Sequence, residues 1–200
     1  LSLLKKFKEP ISFLIDPISA DPSIFYDIDK IDHRDILLNF PLEPQGYPYI
    51  NPGKHTLLIH HSQEHIETQI ENAYSKLPEA VGVLGTYGTQ AVEQEEFLTK
   101  IFSALESKGL FWVQIHSGGK EKVSSLCHQF QFPCYRAQKP IDDDGVITKA
   151  LHLARKKGDH MIVLPLKINI LQKILDARNS AKLQGTTFVN ASELIKQENP

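Results

Sequence analysis

Apolar residues gather in short, nearly unbroken runs at 11–15 (ISFLI), 35–40 (DILLNF), 80–84 (AVGVL), 110–115 (LFWVQI), 161–165 (MIVLP) and 186–189 (TTFV). They lack the polar/apolar alternation of a half-solvated strand, so they predict strands buried on both faces, as in a parallel sheet. Between them apolar positions recur with helical period. The clearest such stretch is 63–75, where Ile66, Ile70 and Ala73 follow Ser62, a good N-cap residue. The same period predicts helices at 93–107, 120–129, 145–157 and 169–182, and a short run at 133–136 (PCYR) reads as one more strand. Strands alternating with helices predict an α/β fold built from βα units. Six or seven strands fit either an incomplete (β/α) barrel or an open doubly wound sheet.

One connection breaks the pattern. Residues 41–54, PLEPQGYPYINPGK, are dense in proline, glycine and tyrosine. Connections of this length are usually functional or disordered, and the pinned prolines predict an ordered one. No composition shift marks a linker, so residues 1–200 read as a single domain. With 41% hydrophobic and 23% charged residues, the chain can bury a core of its own.

A formal charge of −2 with mixed signs supplies no basic stripe, which argues against nucleic acid and anionic membrane surfaces as partners. No apolar run reaches the roughly 20 residues of a membrane-spanning helix. The opening LSLLKKFKEP has neither a long apolar stretch nor a cleavage site, and Leu1 does not look like a natural start, so a segment upstream of it is expected.

Candidate chemistry is sparse. Cys127 and Cys134 have no neighbouring His or Cys and do not make a zinc spacing; they read as buried apolar thiols, with a local disulfide as the alternative. His60, His61 and His65 form H-H-x3-H at the start of a helix, where exposed residues are the simpler reading and a metal site the sharper one. His116 follows the strand at 110–115 and precedes Ser117, Gly118 and Gly119, a turn whose backbone N–H groups could face an anion. Asp142, Asp143 and Asp144 precede a helical run, where a capping and dipole role explains them without a metal. Tyr47, Tyr49 and Tyr87 could stack on sugar rings, whereas Trp112 sits mid-strand and reads as core.

The stretch DILLNFPLEPQGYPYINPGKHTLL resembles the divergent polysaccharide deacetylases, whose members read G-H-E-x-L-L-H-x-P-M-E-P before a Gly-Tyr-Pro and a Pro-Gly turn. SKLPEAVGV, LESKGLFWV and TTFVNASELI continue the resemblance in order and spacing, over residues 11–197. It implies a distorted (β/α) barrel of about seven strands, of the NodB-like glycoside hydrolase/deacetylase type. It also implies a periplasmic or extracytoplasmic location and a polysaccharide or peptidoglycan-like glycan as partner, with envelope proteins as further partners.

Active members of such a family would use a divalent metal held by Asp and His to polarise an amide and activate water. Here the matching positions are altered. Asn39 and Thr86 stand where the family has histidines, Gln114 where it has an aspartate, and Leu164, before the retained Pro165, where it has the histidine of a Gly-His-Pro motif. The family's Asn-His-Met-Gly-Ser motif appears as Gly85, Thr86, Tyr87, Gly88 and Thr89. Its first strand, which ends in paired aspartates, is expected upstream of Leu1.

The resemblance therefore implies a catalytically degenerate member with no catalytic or metal-ligating residue and no cofactor. Its glycan-binding positions would be Asn39, Glu43, Thr86, Tyr87, Gln114 and His116. Glu43, retained from Met-Glu-Pro, could accept a sugar hydroxyl or tie down N–H groups of its own loop. The alternative is an active metal-dependent deacetylase of N-acetyl sugars, with a weakly bound divalent metal held by upstream aspartates and an unorthodox partner such as His116.

Overall fold

The computed structural model of the protein describes residues 8, 10–18, 20, 21, 23, 28–32, 34–115, 120–138, 145–183 and 185–198. Five parallel strands lie in the order β1 (Ile11–Ile15), β2 (Arg34–Pro41), β3 (Ala80–Thr86), β4 (Phe111–Gln114) and β5 (Cys134–Arg136). Helices α1 (Gln63–Lys76), α2 (Glu95–Glu106), α3 (Lys120–Gln129), α4 (Val146–Lys157), α5 (Ile168–Leu183) and α6 (Ala191–Glu198) follow in chain order. α1 starts where its sequence says it should, with Ser62 Oγ accepting the His65 N–H at 3.2 Å.

Alternate residues of the sheet feed two apolar layers. Ile36, Leu38, Phe40, Val83 and Trp112 pack with Ile66 and Ile70 of α1 and with Phe97, Leu98, Ile101 and Phe102 of α2. Leu37, Leu84, Phe111, Val113 and Tyr135 pack on the other face with Ala191, Leu194 and Ile195 of α6. A sheet covered on both faces has no need for polar positions within its strands, which is why the apolar runs are continuous.

Two expected strands do not form. Met161–Pro165 makes only an isolated parallel bridge, Ile162 to Gln138. The Gln138 N–H donates to Met161 O at 2.9 Å and the Val163 N–H reaches Gln138 O at 3.4 Å. Pro165 has no N–H with which to extend that ladder. Residues 186–189 are not in a strand either. They pass the β1 end of the sheet, where the Ala191 N–H turns to Ser12 Oγ at 2.8 Å instead of to a neighbouring strand. The described residues thus form a five-stranded open sheet, and the expected seven-stranded barrel is not seen among them.

The cysteines also depart from the first expectation. Cys127 and Cys134 form a disulfide that ties α3 to the start of β5 across 7 positions of sequence. Phe132 folds the intervening turn inward, stacked on Phe102 with ring centroids 4.8 Å apart, and that brings the two cysteines together.

Candidate functional site at the strand ends

β2 and β3 deliver the central pair. Their register sets Asn39 against Leu84 and Pro41 against Thr86, so the side chains of Asn39 and Thr86 emerge on one face near the carboxyl end of the sheet. Thr86 Oγ1 donates to Asn39 Oδ1 at 2.9 Å. Both side chains are half-buried. Thr86 and Leu164 line the same cavity of about 1210 Å3, which runs between β1, the 158–166 segment and the last helices. Gln114 is not brought to that pair. It is in register with Gly85, so alternation puts it on the opposite face, the face of Trp112, where it is buried. Ile115, one residue on, is the β4-end residue that lines the cavity with Thr86. His116 and the acidic run 142–144 lie outside the described residues.

A divalent metal does not fit this donor set. Asn39 Oδ1 is engaged by the Thr86 hydroxyl, Leu164 has no lone pair to give, and no group of three or more His, Cys, Asp or Glu side chains among the described residues could hold a metal ion.

The loop after β2 is held by its backbone. The Leu42 N–H donates to Thr86 O at 2.8 Å, the Glu43 N–H to Leu57 O at 3.0 Å, the Leu57 N–H to Pro41 O at 2.8 Å and the Ala91 N–H to Glu43 O at 3.1 Å. Glu43 Oε2 accepts the Ile59 N–H at 2.9 Å, so one residue ties its own loop to two other stretches of backbone, 57–59 and the turn at Ala91. The Gln45 N–H donates to Thr89 Oγ1 at 2.9 Å, and Asn51 Oδ1 accepts the Gly53 N–H at 2.9 Å. Tyr49 stands almost wholly in solvent and Tyr47 is half-buried. Gly85 and Gly88 allow the loop its close seat: a Cβ on Gly85 would meet the Trp112 ring at 2.5 Å, and one on Gly88 would meet Leu42 at 2.9 Å.

Three imidazoles border the loop. The His60 and His61 ring centroids are 5.1 Å apart, and those of His61 and His65 are 4.0 Å apart. His61 Nδ1 accepts the Leu58 N–H at 3.2 Å, which places the proton of the neutral ring on Nε2. A metal on Nε2 would force that proton to Nδ1, against the Leu58 N–H, so His61 is a turn-closing residue and not a ligand. Burial, then the neighbouring His65 and His60, push His61 below the ordinary imidazole value, and Glu43 pulls against them. The spacing H-H-x3-H carries no sign of this backbone bond.

Sequence reasoning missed the conformation of Tyr87. It stands at φ 62° immediately after β3, in a motif whose family counterpart gives no reason to expect a left-handed residue.

The sequence profile described as Divergent polysaccharide deacetylase matches residues 2–195. An uncharacterized protein of Haemophilus influenzae is 24% identical over 153 residues, which are 72% of this chain and 54% of that protein, so the chain spans about half the length of this curated relative. The crystal structure of an uncharacterized protein from Agrobacterium tumefaciens has the same fold, with a TM-score of 0.84 at 19% identity over 96% of this chain and 81% of the other.

Proposed function

The chain belongs to the divergent polysaccharide deacetylase family, and from that premise we propose that it is a glycan-binding member of the bacterial envelope that does not hydrolyse its ligand. The hydrogen bond from Thr86 to Asn39 carries this reading. Two positions that the family resemblance assigns to metal-binding histidines hold a neutral amide and a neutral hydroxyl. Such a pair can donate to and accept from sugar hydroxyls, but it cannot lower the pKa of water or move a proton at neutral pH. The five-stranded sheet is read as part of the family's distorted barrel, with Asn39 and Thr86 near its carboxyl end, where ligand sites of such folds collect. Glu43 frames the site by holding its loop.

The disulfide between Cys127 and Cys134 suits an oxidising, extracytoplasmic compartment. Among the described residues no helix is long and apolar enough to cross a membrane. The test offers the full chain an N-acetylated polysaccharide, with binding measured by calorimetry and released acetate followed in the same samples. Binding without acetate is expected. Acetate release that a chelator abolishes would replace this reading with an active metal-dependent deacetylase.

A further inference from the structure

Gly88 N–H donates to Thr86 O at 2.9 Å, closing a three-residue turn with Tyr87 at its apex and φ at 62°. A turn of this sense is rare and strained for any residue with a side chain. Glycine would adopt it freely. Instead the apex carries a large aromatic whose surface is 53% exposed, so the side chain recovers little by burial. Among the described residues, Gln131 is the other non-glycine residue at positive φ, and it sits in the turn after α3, away from the strand ends.

The turn is braced on every side. Thr86 O also accepts the Leu42 N–H, Gly88 O accepts the Val92 N–H at 3.0 Å, and Thr89 Oγ1 holds the Gln45 N–H. This bracing fixes the backbone from which the ring projects, directly after the Thr86 that bonds Asn39. Backbone strain held at a half-exposed residue is a mark of a functional position. An exposed ring one residue after the hydroxyl of a neutral amide–hydroxyl pair suits one ligand chemistry well. The C–H-rich face of a pyranose packs on the ring while its hydroxyls exchange hydrogen bonds with the polar pair.

We infer that Tyr87 is the stacking platform of the glycan site, taking the apolar C–H face of a pyranose, and that the strained turn exists to present it. The inference rests on the glycan-binding reading above and names the ligand face that the site selects. It is tested on the full chain by calorimetry with a β-linked N-acetylglucosamine oligosaccharide, alongside thermal unfolding.

Tyr87→Gly is expected to keep or raise the melting temperature while weakening binding about tenfold. Tyr87→Phe, which keeps the ring, should bring affinity back near that of the parent. If Tyr87→Gly binds as the parent does while Asn39→Ala loses binding, the strand-end site stands and Tyr87 is not its platform. If Tyr87→Gly melts several degrees lower, the residue holds structure and the inference fails. If the parent chain itself does not bind the oligosaccharide, the glycan reading falls and the inference with it.

Discussion

The loop crossing the strand ends at 41–61 and the segment running from 158 to 190 both contain stretches without a strand ladder, yet they are built in opposite ways. In the first, backbone N–H groups of Leu42, Glu43, Leu57, Ile59 and Ala91 all find named acceptors, and Glu43 alone meets three of those bonds. In the second, the apolar run makes a single isolated backbone bridge, Ile162 to Gln138, and otherwise meets the sheet through side-chain packing of Met161 and Val163. There the buried His160 Nε2, Thr186 Oγ1 and Asn190 Oδ1 have no hydrogen-bond partner among the described residues. Buried polar atoms without partners are uncommon in well-packed protein. Irregular backbone is held firmly when each polar group is tied; apolar content alone does not tie it.

Deleting the side chain that seats the first loop should separate the two regions most strongly. Leu42 is fully buried against Gly85 and Gly88, so Leu42→Ala is expected to cost about 2–5 kcal/mol. Leu164→Ala, at a half-buried position on the cavity wall, should cost about 1 kcal/mol or less. Chemical denaturation of both variants compares them, and equal losses would erase the distinction between the regions.

Next in size is the covalent tie between α3 and β5. Replacing both Cys127 and Cys134 by serine removes a short loop constraint, and about 2.5 kcal/mol of stability should go with it. Unfolding the parent with and without reductant checks the same quantity. No change would mean that the thiols are not paired in the folded protein.

Glu43→Gln keeps the shape of the side chain and removes its charge. With the Ile59 N–H then facing a neutral oxygen, a loss of about 1–2 kcal/mol is expected. Unchanged melting together with abolished glycan binding would move Glu43 from loop support to ligand contact.

The smallest effect is a pH dependence. His61 is held below its usual value of 6.5, chiefly by burial. A base with a lowered folded pKa binds fewer protons folded than unfolded, so its contribution is full above 6.5 and is lost as pH falls from there through the folded pKa. His160 is lowered in the same direction, by burial first and Lys157 second, with Asp159 opposing. Melting curves across that window should therefore fall on acidification. His61→Gln should flatten the part that belongs to the loop, and His160→Gln the part that belongs to the second segment.

Local pattern alone determined a good deal of this protein. The helices at 63–76, 95–106, 120–129, 146–157 and 168–183 and the strands β1 to β4 follow from periodicities that a few consecutive residues carry. The loop PLEPQGYPYINPGK carried the family. The tertiary structure decided what depends on a distant partner. The run MIVLP has the composition of a strand, but a strand exists only where another chain segment offers its N–H and C=O groups, and here one residue does. Gln114 could be placed at a strand end by alignment, yet its face was set by register with Gly85. The pairing of Asn39 with Thr86, the joining of Cys127 to Cys134 and the left-handed turn at Tyr87 each need two or more segments held in three dimensions. Periodicity reports which face of an element is apolar; it holds no information about which polar atoms from elsewhere will meet it.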